Sequence, residues 1–260
     1  MLKILRYSFY DLIRSRWSYV YFIFYMLLGF SMLFLNNDLS KGIITLMNII
    51  IVLTPLIGTI FGVMYYYSSR EFTELLLAQP LKRTTIFLGQ FLGVAVSLSM
   101  SLVLGLGIPF AFYGLFYSGT IWDFTTLLVS GALLTFIFVA LSMFVALFND
   151  NKIKGFGYAI LIWLLLAVIY DGVILILLMY LQDFPLENFA LATMMFNPID
   201  LSRVLILLKL DISALLGYTG AVFQKFFGTG QGMFVSLLIL LMWVVVPLLL
   251  VIRKVKRKDF

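Results

Sequence analysis

Residues 43–67 read IITLMNIIIVLTPLIGTIFGVMYYY, without one Asp, Glu, Lys or Arg. A helix needs about 20 apolar residues to cross a bilayer, and this run is longer than that. Five further windows qualify on the same count: 17–35, 86–116, 124–148, 156–181 and 233–252. The runs are continuous, whereas the strands of a membrane barrel alternate over about ten residues. The chain as a whole agrees. Of its 260 residues 63% are hydrophobic and 12% charged, and its mean hydropathy is +1.10. A soluble domain carries about 25% charged residues. The expectation is an all-α integral membrane protein of six transmembrane helices, forming a single transmembrane domain over 1–260.

Two windows need comment. The first is too long for a signal-peptide core, and Asn36-Asn37-Asp38 follows it instead of a small-residue cleavage site, so it reads as a retained span. The third contains Gly105, Gly107, Pro109 and Gly114. It reads as one span with a kinked or tilted outer end.

Placing the basic residues orients the spans. One side collects Lys3, Arg6, Arg14, Arg16, Arg70, Lys82, Arg83, Lys152, Lys154, Arg253, Lys254, Lys256, Arg257 and Lys258; the other has Lys41, Arg203, Lys209 and Lys225. The positive-inside rule then puts both termini in the cytoplasm. The net charge of +6 is therefore mostly an orientation signal, and nucleic acid is not an expected partner. The chain has no Cys and no His. That removes disulfides, zinc and haem ligation and Cys/His nucleophiles from consideration.

Three segments lie outside the spans. In 1–16, Leu2, Leu5, Phe9, Leu12 and Ile13 share a helical face opposite Lys3, Arg6, Asp11 and Arg14. This predicts an amphipathic helix in the cytoplasmic interface, running through Arg16 into Trp17. The cytoplasmic loop 68–85 holds Arg70, Glu71 and Glu74, then Leu75, Leu76 and Leu77, then Pro80, Lys82 and Arg83. A short helix with an acidic start and a basic flank fits the helix dipole. Its Leu face suits a groove on a soluble partner, and an ordinary solvated loop helix is the other reading. The external segment 182–232 is too long for a simple connection. There Asp200 is expected to cap a helix over 201–210 and Asp211 another over 213–217, with Leu201, Val204, Leu205 and Leu208 on one face. Such helices would lie on the outer surface or pack on the spans, and 226–232 would be a hinge.

Candidate chemistry is sparse. No Gly-x-x-x-x-Gly-Lys-Ser/Thr pattern occurs, so energy from nucleotide would come through a partner. Asp171 is the one charge inside any window. An intramembrane carboxylate should face protein or water. It is either a polar element of a pathway or dimer interface, or a structural carboxylate bonded to a neighbouring helix. Met194-Met195 invites a copper reading, but no His or Cys completes a site and Met packs readily in apolar structures. No metal is assigned to this chain. Gly58-x-x-x-Gly62 and Gly89-x-x-x-Gly93 allow close helix approach, within the chain or between copies.

The segment 70–93, with Glu-x-x-Glu-Leu-Leu-Leu-x-x-Pro-x-x-Arg and Gly89-Gln90-Phe91-Leu92-Gly93, resembles the cytoplasmic loop of ABC-2-type transporter permeases. Within that family the chain looks most like the permease of the nitrous-oxide-reductase maturation transporter, the NosY type. The likeness continues at 11–17, Thr54-Pro55-Leu56-Ile57, Tyr170-Asp171 and Asn197-Pro198-Ile199-Asp200-Leu201-Ser202-Arg203. Relatives usually carry Gly and Thr after the acidic start, where this chain has Phe72-Thr73. Phe lacks the backbone freedom of Gly, so entry to the helix should be more continuous here.

The resemblance implies a non-catalytic homodimeric permease in the bacterial inner membrane. Two copies of a separate ATPase subunit would carry ATP and Mg on the coupling loops, and this chain would bind no cofactor itself. A β-helical periplasmic protein would sit on the external segment, with Asn197, Pro198, Asp200 and Arg203 on the contact surface. The output would serve copper-centre assembly. A generic ABC-2 exporter of a lipid or drug-like substrate fits the loop equally well. An intramembrane enzyme is disfavoured, because one Asp makes no acid/base pair.

Overall fold

The computed structural model describes residues 6–11, 16–36, 38–181, 187–210 and 230–257. Its described residues are overwhelmingly helical, in an all-α multi-pass bundle. The helices are α1 (Arg16–Asn36), α2 (Leu39–Ser68), the short α3 (Arg70–Leu77), α4 (Arg83–Phe112) and α5 (Ile121–Phe148). Next come α6 (Lys152–Tyr180), α7 (Glu187–Met195), α8 (Pro198–Lys209) and α9 (Gly230–Arg257). Six of the described helices, α1, α2, α4, α5, α6 and α9, are long and apolar enough to cross a membrane. Each matches one expected window and starts one to four residues before it. Asp38 caps α2 by accepting from Ser40 N at 3.0 Å, and Asn151 caps α6 by accepting from Ile153 N at 2.9 Å.

The third span is a single helix that ends at Phe112, short of the expected 116. Pro109 lies inside it. The stop comes at Gly114, whose φ of 83° no ordinary L-residue adopts cheaply, and a 3-10 turn at Leu115–Tyr117 follows. Pro109 faces α1: a Cβ on Gly29 would lie 3.0 Å from Pro109 Cγ. Glycine and proline thus set a close α1–α4 contact, as small residues do between helices in lipid.

α5 is central and mostly buried, whereas α6 is mostly exposed. Gly58 and Gly62 both face α5, where a Cβ on Gly62 would meet Ser142. Gly93 faces Ser8 of the 6–11 segment. Gly58, Gly62 and Gly93 therefore serve contacts within the chain. A buried hydroxyl chain ties α1 to α2: Tyr21 and Tyr25 hydroxyls lie 2.7 Å apart, and Tyr25 and Thr54 2.9 Å.

One end of the bundle gathers Phe87, Leu147, Val251 and Val255, from three spans, into a small cluster. Arg70, Lys82, Arg83, Lys152, Lys154, Arg253, Lys254 and Lys256 sit at this basic end. The 6–11 segment is helical and packed there. Ser8 is fully buried and Tyr7 stacks on Phe72 with ring centroids 4.5 Å apart. Arg6, Tyr7, Tyr10 and Asp11 remain exposed. Phe9 is half-buried; Leu5 and Arg14 fall outside the described residues, as do the side chains of Arg16 and Trp17.

The largest departure from expectation is α7–α8. The two helices meet at 112°, and their junction is deep. Asn197 Nδ2 donates to Leu166 O, halfway along α6, at 2.8 Å. Trp243 Nε1, halfway along α9, donates to Met195 O at 3.3 Å. The bent pair has the form of a broken span or a re-entrant loop. α8 is buried on every side, with Ile199, Leu201, Val204, Ile206 and Leu207 all in the core. It does not lie on an outer surface, because its apolar residues cover the full circumference and not one stripe. The expected helix over 213–217 and the hinge at 226–229 lie outside the described residues.

Candidate functional site

Irregular backbone at membrane depth persists only where protein satisfies its polar groups. The junction of α7 and α8 meets that demand residue by residue. Asn197 is the N-cap of α8, its Oδ1 accepting from Ile199 N at 3.1 Å, and Pro198 occupies the first turn where its missing N–H costs nothing. The expected cap, Asp200, is instead inside the first turn. The reason is steric: a cap residue is extended, as Asn197 is, and Pro favours extended backbone in the residue before it.

A π-helical turn at Leu165–Ile169 interrupts α6 opposite this junction. The register change leaves a carbonyl short of its α-helical donor. Leu166 O recruits Asn197 Nδ2 instead. On the next turn Tyr170 donates its hydroxyl to Thr193 O at 2.5 Å, covering the end of α7. Asp171 follows.

Arg203, two turns up α8 from the cap, completes the cluster. Its Nη1 donates to Asp171 Oδ2 at 3.0 Å and to Asp200 Oδ1 at 3.1 Å, and Asn197 Nδ2 donates to Asp200 Oδ2 at 2.8 Å. One guanidinium thus sits between two carboxylates contributed by different helices. Asp171 is not a solitary intramembrane charge. Its Oδ2 is bonded to a cation on α8, a neighbouring helix. Because charge is costly in this setting, removal of Arg203 would leave two carboxylates uncompensated.

Asn197, Pro198 and Asp200 are buried and Arg203 is half-buried. These four side chains therefore face the protein interior, which corrects their expected place on a partner surface. Beside them lies a cavity of about 380 Å³ between α2, α6, α7 and α8. Asn48, Tyr170 and Thr193 join its polar wall. Of the three, Tyr170 was marked by the Tyr170-Asp171 likeness, whereas Asn48 and Thr193, on other helices, carried no signal in the sequence. Met194 lines the cavity, and both it and Met195 pack against the core.

At the basic end, α3 forms a second candidate. A single residue, Ser69, separates it from α2, so the entry is continuous, as Phe72-Thr73 implied. Its inner face is anchored: Gln90 Nε2 of α4 donates to Thr73 Oγ1 at 2.8 Å, and Phe72 holds Tyr7. Its outer face is free of the bundle. Leu75 is 68% exposed, and Arg70 Nε pairs with Glu74 at 3.1 Å. Glu71, Pro80, Lys82 and Arg83 are exposed, while Leu76 and Leu77 are half-buried. Thus the Leu triplet splits, one residue outward and two partly inward.

A family model described as "ABC-2 family transporter protein" matches residues 2–260. The curated "Probable ABC transporter permease protein NosY" of Stutzerimonas stutzeri is 29% identical over 164 residues, covering 61% of this chain and 54% of that protein. The similarity thus spans about half the length of that relative.

Proposed function

The chain belongs to the ABC-2 family of transporter proteins, and from that premise we propose that it couples a separate ATPase to copper-centre assembly of nitrous oxide reductase. It is the permease, the transmembrane component of the transporter. The ATPase, present in two copies and carrying ATP and Mg, docks on α3 of each permease in a homodimer. The basic end is then cytoplasmic, in the inner membrane of a bacterium, as positive-inside demands. On the opposite side the chain receives a β-helical periplasmic protein, away from the buried Asn197, Pro198 and Asp200.

One observation carries this reading: α3 presents Leu75 outward while Thr73 and Phe72 tie its inner face to α4 and to the N-terminal turn. An exposed apolar anchor on a rigidly held helix is what helix-in-groove docking needs. Motion of a docked ATPase pair would reach α4 and α2 directly, since Ser69 alone joins α3 to α2. The assignment to the nitrous-oxide-reductase type is supported by the relative's name and by Asn197-Pro198-x-Asp200-x-x-Arg203. A generic exporter of an amphiphile is the second reading, favoured by the polar-walled cavity beside Asp171.

The test is affinity purification of the tagged full chain from its native membrane. Recovery of an ATPase subunit, a second permease copy and a secreted repeat protein is the expected result. A chain recovered with an ATPase but no periplasmic protein would favour the exporter. A chain recovered without any ATPase would refute both.

A further inference from the structure

A second hollow opens at the basic end of the bundle, between α5 and α6. This groove of about 340 Å³ is almost wholly apolar. Val145 and Phe148 of α5 form one wall, and Tyr158, Leu161 and Leu165 of α6 form the other. All but Val145 are exposed, so the groove is open to whatever surrounds the spans. Its mouth is cationic on both sides. Lys254 of α9 holds its ammonium 4.5 Å from the centroid of the Phe148 ring, a cation–π placement that fixes a charge at the top of the α5 wall. On α6, positions 154, 158, 161 and 165 share one helical face. Exposed Lys154 therefore stands one turn above Tyr158, at the top of the other wall. Asp150 is the acid of the connecting loop, and its charge acts on Tyr66 and Tyr67 of α2. Against it this corner sets Lys152, Lys154, Arg253, Lys254 and Lys256.

We infer that this groove seats an anionic phospholipid, with one acyl chain along the apolar walls and the phosphodiester between Lys154 and Lys254. The positive-inside rule explains why cations collect at this end, but not why two of them flank the mouth of one apolar slot. A basic pocket between spans recognises anionic headgroups, and each ammonium near the surface adds to the attraction. Lys suits the task, because its flexible stem lies along apolar surface while its charge reaches the headgroup level. A neutral lipid would fill the slot and leave the ammoniums uncompensated. A zwitterionic headgroup brings its own cation and gains less from them. A second copy of this chain in the same membrane presents the same basic end at this depth, which adds like charge at the mouth.

The experiment is native mass spectrometry of the full chain released from phosphatidylcholine nanodiscs that contain a minor share of phosphatidylglycerol. Phosphatidylglycerol should stay bound to the chain well above its share of the bilayer. Retention of the two lipids in proportion to their shares would overturn the proposal. K154Q/K254Q removes both ammoniums and should lower the enrichment about tenfold or more; undiminished enrichment would place the headgroup elsewhere and refute the site. L161W fills the slot without touching its charges and should release the bound lipid, with melting temperature in phosphatidylcholine as the control for folding. Should L161W melt early, L165W takes its place. Enrichment that persists in the filled groove would equally refute the site. The chain has no Cys, so L161C carries a single thiol. It should stay uncrosslinked under mild oxidation in the same nanodiscs. A disulfide between two chains through L161C would overturn the proposal, because a second copy would then cover the groove.

Discussion

Arg203 Nη1 lies 3.0 Å from Asp171 Oδ2, joining the buried helix α8 to the turn of α6 that follows its π-helical interruption. The two residues are 28–30% exposed, so the pair is neither a screened surface bridge nor a fully desolvated one. Replacing Arg203 leaves two carboxylates uncompensated, whereas replacing Asp171 leaves Arg203 paired with Asp200 at 3.1 Å. We expect R203M to destabilise the chain by about 2–4 kcal/mol, the lower end reflecting residual solvent access, and D171L to cost less. The double variant should be less damaged than their sum, with a coupling of about 1–2 kcal/mol in a double-mutant cycle read by thermal unfolding in detergent. Simple additivity would show that the pair is incidental.

Asn197 does two jobs with two ends of one amide. Its oxygen caps α8, and its nitrogen serves Leu166 O and Asp200. N197A should therefore cost more than an ordinary cap, about 2–3 kcal/mol against roughly 1. N197D keeps the cap oxygen but loses the donor and turns a third carboxylate towards Asp200. It should be at least as unstable as N197A. A native-like melting temperature for N197D would mean that the bonds to Leu166 and Asp200 contribute nothing.

How far could such a site be read from residues alone? The spans were legible because lipid leaves little choice: an uncharged run of sufficient length is a span, and 43–67 became α2. The bent α7–α8 pair was not, and its energetics explain why. α7 and α8 are each too short to cross a bilayer, and Asp200 and Arg203 look like surface charges in a hydropathy window. They are sheltered because Arg203 pairs with Asp200 on its own helix and with Asp171 on another. A window averaging adjacent residues cannot register a neutralising charge 32 positions away. The Leu201, Val204, Leu205, Leu208 stripe was read correctly. Ile199, Ile206 and Leu207, on the other faces, turned an apparently amphipathic helix into a core one. Likewise the motif residues were noticed, while Asn48 and Thr193 acquire meaning only once α2, α6 and α7 are packed together.

The N-terminal turn offers a separate check on packing at the basic end. Ser8 sits against Gly93, where a Cβ would come within 2.5 Å of Ser8 Cβ and 3.1 Å of the Phe9 backbone nitrogen. Backbone cannot yield as a flexible side chain does. G93V should push the 6–11 segment off α4, at a cost of about 1–3 kcal/mol. The observable is faster proteolytic removal of the N-terminus with the spans intact. Unchanged protection would contradict the packing of Ser8 on α4.

The central claim is that α3 is where the engine attaches. Leu75 is its outward apolar residue, and an exposed-to-charged change there should leave the bundle folded while spoiling a docking groove. The measurement is the ATPase-to-permease ratio in the purified full complex for wild type and L75E, with melting temperature as the control. A central apolar anchor is worth about 2 kcal/mol or more, roughly a thirtyfold loss of affinity. The account predicts a permease of native stability stripped of most of its ATPase. A full ATPase complement on L75E would contradict it.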